Sequence, residues 1–386
     1  MANIRVGLDT ADYESGAKKL DVRDFIFQLE PDEAPFTTLL SKVRKESTRD
    51  VAFSWFEDLS LGKWTQVNVA SNGATPSDTQ ISVNDGDIFQ IGDLVKVVNG
   101  NAAGEVWLVT DVDVAATPDQ IHVTRKFGTT AAGGNLATGD YLFRLGQAKS
   151  EGYTVGNQLI TTKTKLDNYI QIFSRPVQLT QTANAVATYG GNRRMYERKK
   201  VGVDIKRDIE AQFLFGEPKY DSTGPTYATG GVLYFMGADS PALNAAGALH
   251  KDDFDGWLKD AMAYGSSEKW LFASNTIIAY INGWADSYMW ADPGEIKTWG
   301  VRFRKYTSAF GDINIVLNRN FLGPYAGQAV LLDMKEIVYR YLEGLDLTLQ
   351  TNLQPPNVKY FLDEYAGHLG LELHNDLKHA RIYGVS

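Results

Sequence analysis

The chain has 386 residues, 44% of them hydrophobic and 22% charged, with a formal net charge of −9 and no cysteine. That length provides for two or three domains with cores of their own, and the missing cysteines exclude disulfides and thiolate metal sites. No basic stripe of the kind that grips nucleic acid is present, no apolar run nears the roughly 20 residues that cross a bilayer, and MANIRVGLDTADYESGAKKLD has no apolar leader, so no secretory signal is expected.

Residues 1–50 are polar and short of core positions. Within them Phe25, Phe27 and Leu29 alternate, Pro31 and Pro35 break any helix, and Phe36, Leu39 and Leu40 begin a short amphipathic turn. Such a segment cannot fold alone, and it reads as an extended arm lying over a neighbour. VAFSWF, with Val51, Phe53 and Trp55 on one side, reads as a strand, and LITTKTKLDNYIQIFSRP (159–176) as another. The two are expected to pair as a long antiparallel hairpin, a motif that is marginal alone in water. Between them, QISV, DIFQI, LVKVV, EVWLVTDVDV, QIHVTRKF and YLFRL are short strands separated by turns such as Asp85-Gly86 and Gly139-Asp140. Residues 67–146 therefore read as an all-β sandwich or barrel inserted into the hairpin.

From Asn192 to Phe215 the chain reads as one long helix, capped by Asn192 and ended by a left-handed Gly216 before Pro218. Met195, Gly202, Ile205, Ile209 and Phe213 share one face, and Arg193, Glu197, Lys200, Asp204, Arg207 and Asp208 the opposite one. Residues 217–250 look irregular. Beyond them FDGWLKDAMAY and 276–284 read as helices, and KWLFAS, RFRKYTSAF, INIVLNR, AVLLDM and VYRYL as strands, which indicates an α/β or α+β domain. The C-terminal YFLDEYAGHLGLELHNDLKHARIYGV is again rich in strands.

No catalytic constellation emerges. His122, His250, His368, His374 and His379 lack zinc-site spacing. There is no nucleophile elbow or dinucleotide fingerprint, and Gly100–Gly104 lacks the lysine of a phosphate loop. Asp85 with Asp87, and Asp111 with Asp113, lack the spacing of a calcium loop and read as turn residues. No cofactor and no reaction is expected.

The order of parts (arm, hairpin with insertion, long charged helix, mixed domain, closing strands) resembles the major capsid proteins of tailed double-stranded DNA bacteriophages, the Hong Kong ninety-seven type fold. EPDEAPFTTLLSKVRKE resembles the N-terminal arm of one branch, and VTRKFGTTAAGGNLATGDYLFRLGQAKSEG its β insertion. SRPVQLTQTANAVATYGGNRRMYERKKVGVDIKRDIEAQFLFG resembles the spine helix and its approach, YTSAFGDINIVLNRNFL and AVLLDMKEIVYRYL axial strands, and LGLELHNDLKHARIYGV the closing strands. The resemblance implies an α+β capsid fold. Its N-arm would be 1–50, its extended loop 51–66 and 147–180, and its inserted β domain 67–146. A peripheral domain would take 181–250 and 346–386, with the spine helix at 192–215, and an axial domain 251–345. It implies a virion protein, assembled in the host cytoplasm, whose copies join as hexamers and pentamers into an icosahedral shell around double-stranded DNA. Separate scaffolding, portal and decoration proteins would be its other partners, with no membrane. An encapsulin-like compartment shares the fold, and a carbohydrate-binding β-rich protein is the alternative of another class. The contacts between copies are expected from Arg193, Arg194 and Arg198 at the start of the helix, meeting Asp32, Glu33, Glu57 or Asp58 of a neighbour, and from burial of Phe36 and Trp55.

Overall fold

The computed structural model describes residues 34–58, 61–68, 75–128, 134–149, 151–152, 161–186, 192–221, 223–224, 226–285, 296–298 and 301–386, with 285, 296–298 and 301–304 described by backbone alone. The chain divides into two compact units, Met1–Trp55 with Leu166–Ser386, and Phe56–Lys165.

The first unit is built on two sheets. One has five strands, in the order Lys45–Thr48, Ile337–Leu342, Tyr360–Leu373 and Gln171–Thr180, with Thr348–Gln350 also on the long strand Tyr360–Leu373. The long helix, Arg193–Phe215, packs on this sheet through Ile205, Ile209, Phe213 and Leu214, which join Leu369, Leu371, Leu373, Ile337 and Tyr339 in one core. The side chain of Asn192 accepts the Met195 N–H at 3.2 Å, supplying a partner to one of the free amides of the first turn. The other end differs from expectation: Gly216 is extended (φ −68°, ψ 153°), and its carbonyl accepts the Gly231 N–H at 2.8 Å. A neighbouring loop, not a left-handed turn, ends the helix. Met195 is 67% exposed, so the apolar face begins only at Ile205.

The second sheet has seven strands: Ala242–Gly247, Ala380–Val385, Ala329–Leu332, Glu268–Ala273, Asp312–Leu317, Val301–Thr307 and Ile296–Thr298. Side chains alternate across a strand, and here both faces are covered. Phe272, Val316, Val330 and Leu332 enter the core under the long helix. Leu271, Ala273, Ile313, Ile315, Ala329 and Leu331 meet the helices Lys251–Ala261 and Asn275–Ala285 through Phe254, Leu258, Ile277 and Ile281. That is why KWLFA reads as a continuous apolar run. The sheets also cut across the boundaries expected at 250/251 and 345/346. Ala242–Gly247 and Ala380–Val385 complete the seven-stranded sheet, while Ile337–Leu342 belongs to the five-stranded one.

The hairpin is shorter than expected. Ala52–Glu57 pairs with Thr164–Tyr169 alone, and after Ile170 the chain turns to the long strand, which Gln171–Thr180 follows in antiparallel register from Gln171↔Leu369 to Thr180↔Tyr360. In the second unit six strands run in the order Trp64–Gln66, Tyr141–Gln147, Asp93–Val97, Val106–Asp113, Gln120–Thr124 and Gln80–Ser82. A bridge between Val67 and Val83 joins the first strand to the last and closes the sheet into a barrel, which removes its open edges. Val95, Val97, Trp107, Val109, Ile121, Val123 and Leu142 fill it. DIFQI is a turn here, not a strand, and sends Ile88 and Phe89 into the core; the sixth strand is Trp64–Gln66, which the sequence reading had placed in the loop.

Candidate functional site

Among the described residues no group of three or more histidines and carboxylates could hold a metal ion, and no helix is long and apolar enough to cross a membrane. His379 is fully buried, its Nδ1 facing the Asp333 N–H at 3.3 Å and its Nε2 the His374 carbonyl at 3.2 Å; burial pushes it down to about 3, so the ring is neutral. Asp113, at the end of its strand, accepts the N–H of Ala115, and Asp111, at an irregularity within the same strand and not in a turn, accepts that of Val112. The buried polar chemistry of this chain instead fastens distant segments together around the long helix.

At the start of that helix, Arg194 and Arg198 are one turn apart and share a face. Both reach Asp363, which lies near the start of the long strand and is 0% exposed. Arg194 donates from Nε at 2.8 Å and from Nη2 at 2.6 Å, one to each carboxylate oxygen, and Arg198 adds an Nε bond at 2.8 Å. The Asn352 N–H donates at 3.0 Å, and the Arg194 guanidinium lies over the Phe361 ring, 4.5 Å from its centre. The Arg194 bonds, with those from Arg198 and Asn352, hold Asp363 well below the usual carboxylate range despite its burial. Two turns of helix are thus clamped to the strand by a forked, charge-assisted contact.

Toward the other end, Glu210 is also 0% exposed. It accepts the Thr37 N–H at 3.1 Å, in the first turn of the helix Pro35–Val43, and the side-chain amides of Asn318 at 2.7 Å and Asn320 at 3.1 Å. A third fastening holds the base of the hairpin. Asn168 donates to Leu371 O at 2.6 Å and to Gly230 O at 3.2 Å, and accepts the Gly230 N–H at 2.7 Å. A fourth holds the sheet edge: Arg340 bonds Glu372 and, at 3.0 Å, Glu46 on the strand Lys45–Thr48.

The residues expected at contacts between copies are placed as follows. Phe36 is 0% exposed and packs edge-on against Phe272, with ring centres 5.3 Å apart; Trp55 is 6% exposed and meets Phe235 at the same distance. Both aromatic surfaces are covered by this chain's own core. The amphipathic turn at Phe36 is a nine-residue helix, and that extra order supplies the cover. Arg194 and Arg198 are engaged by Asp363, a partner the sequence reading did not name. Arg193 pairs with Glu197 one turn on, at 2.9 Å, and remains 43% exposed at its side chain. Asp58 accepts the Thr161 hydroxyl at 2.6 Å, and Glu57 is half-buried at the end of its strand. Asp32 and Glu33 lie outside the described residues.

Residues 9–386 match the family of the SU10 major capsid protein. The chain belongs to that family. The capsid of a native GTA particle, with C5 symmetry, shares the fold: it covers 99% of this chain and 100% of its own, with a TM-score of 0.53 at 9% identity. The major capsid protein of Escherichia phage Phieco32 is 40% identical over 63 residues, 16% of this chain and 18% of that protein, so the match spans less than a fifth of that relative. The SrpI encapsulin of Synechococcus elongatus PCC 7942 covers 58% of this chain and 78% of its own, with a TM-score of 0.43 at 12% identity. This SU10-family chain has the α+β fold of tailed-phage capsids, and the four fastenings are how its sequence holds that fold together.

Proposed function

We propose that copies of this chain assemble as hexamers and pentamers into an icosahedral shell that encloses a double-stranded DNA genome. The family match over nearly the whole chain carries this reading. Two physical features support it. The ribbon of Ala52–Glu57 and Thr164–Tyr169 is a two-stranded sheet, a form that is marginal by itself and gains stability from a neighbour. A net charge of −9 also suits a wall that must not hold packed DNA.

In that shell Arg193 of one copy would face Glu57, Asp58 or the arm acids Asp32 and Glu33 of the next. The chain would act as a structural protein of the virion, not as an enzyme, and would be assembled in the host cytoplasm. Scaffolding and portal proteins, and decoration proteins on the outside, would be its further partners. The inserted barrel would face outward to serve them.

Light scattering on a sizing column tests the reading. Hexamers, pentamers or closed shells are the expected species. A chain that stays monomeric at high concentration, with and without a scaffolding protein, overturns it. Arg193→Glu is expected to lower assembly yield and raise its salt sensitivity. Each exposed pair contributes only about 0–1 kcal/mol, but the contact repeats around every capsomer. An unchanged yield would remove Arg193 from the interface.

A further inference from the structure

We propose that residues 25–29 of this chain add a strand to its own five-stranded sheet, seated in the groove between the strand Gln171–Thr180 and the long helix. That strand is an edge: it pairs with Tyr360–Leu373 on one side and, among the described residues, with no strand on the other. An edge of this kind presents a row of open backbone groups that can take a further strand. Pro176 has no N–H to give one, which confines pairing to residues 171–175 before it. The same five residues form one wall of a groove of about 460 Å³. Ile205, Ala211 and Phe215 of the long helix supply the apolar part of the other wall, and an ion pair between Arg175 and Asp208, at 2.7 Å, links the two. Within the groove Ile172 is left 54% exposed.

The chain itself supplies a matching occupant. The 33 residues ahead of Ala34 lie outside the described residues, and within them FIFQL, residues 25–29, has the alternation of a strand. It is as long as the open stretch of edge, and its Phe25, Phe27 and Leu29 share the face that would meet Ile205, Ala211 and Phe215. The place where the described chain begins sets the reach. The Thr37 N–H is bonded to Glu210, and the next residue, Ala211, lines the groove. Successive residues of a helix point about 100° apart, so the arm helix and the groove flank the same turn. The helix is about 10–12 Å wide with its side chains, and the five steps from Leu29 to Ala34 extend to roughly 17 Å.

Charge suits the same path. The crossing residues include Glu30, Asp32 and Glu33 and no base. On the turn they cross, Lys206 is exposed and Arg207 half-buried; Asp208 is held by Arg175, and Asp204 lies one turn back. Seated this way, the arm keeps Asp32 and Glu33 on its own copy, which leaves Glu57 and Asp58 as the acids for Arg193 of the next. The contact lies within one copy, so it and the shell stand or fall on separate tests.

Hydrogen exchange on the full chain, diluted below assembly and read by mass spectrometry, tests the seating. Amides 25–29 are expected to be protected, to the same degree at every dilution. A chain begun at Ala34 is expected to lose protection at 171–175 by roughly tenfold, while the strand 360–373 holds. The chain has no cysteine, so introduced pairs report where the segment comes from. Ala211→Cys is combined in turn with Phe25→Cys, Phe27→Cys and Leu29→Cys. At least one pair is expected to close a disulfide within a single chain, read on a non-reducing gel. Disulfides only between chains would give the groove to a neighbour's arm and overturn the proposal. So would the absence of a disulfide in all three pairs, or wild-type amides 25–29 that exchange at their intrinsic rate. The wild-type profile needs no variant to fold.

Discussion

Asp363 and Glu210 are both buried carboxylates against one helix, and their surroundings drive them in opposite directions. Asp363 faces two guanidinium groups and stays ionised; Glu210 faces only amides and is lifted toward neutrality. Asp363→Asn keeps the shape and removes the charge, leaving Arg194 and Arg198 without their counter-ion. We expect a loss of roughly 3 kcal/mol in urea unfolding. Because the folded-state value is depressed, this stability is present in full above the unfolded value of about 3.9 and is lost only as pH falls through the folded one. The gap between wild type and variant should therefore be flat from pH 5 to 8 and narrow below pH 4. Neither carboxylate could have been assigned its partner from sequence, since 169 residues separate Arg194 from Asp363. Glu210 did leave a trace: it sits beside Ile209 inside the stripe of Ile205, Ile209, Phe213 and Leu214, where a charge has no business unless it is bonded.

Elements were legible where their signals are local. The helix Arg193–Phe215 could be bounded from Asn192 and Pro218, and the barrel strands from their alternation. What ends the helix was not legible, because a loop fourteen or more residues on supplies it. A Cβ on Gly231 would come within 2.7 Å of Gln212 O, 2.8 Å of Phe213 O and 2.9 Å of Gly216 N. Those atoms are backbone and cannot step aside. Gly231→Ala is expected to cost about 1–3 kcal/mol, measured by thermal unfolding, with the last helical turn losing amide protection first. A stability equal to wild type would show that the helix end does not depend on this close approach. The DIFQI segment failed as a strand for a related reason: its apolar residues serve as a plug for the barrel, and burial without pairing looks the same in sequence.

At the scale of the whole molecule, the chain repeatedly leaves a sheet and returns to it. Lys45–Thr48 runs parallel to Ile337–Leu342, and Ala242–Gly247 parallel to Ala380–Val385. Such pairings join strands more than a hundred residues apart, so the fold could be reached from sequence only through its family resemblance, not through local pattern. The same wiring puts the helix Pro35–Val43 and the strand Tyr360–Leu373 in one core, while the hairpin base, with Phe53, Trp55 and Ile170, forms a second cluster that Phe235 also packs against. The measurement that tests the account most directly is electron microscopy of the full chain, expressed alone and beside candidate scaffolding proteins. The account predicts closed shells, or sixfold and fivefold rings, in at least one of the two. Featureless single copies in both would contradict it.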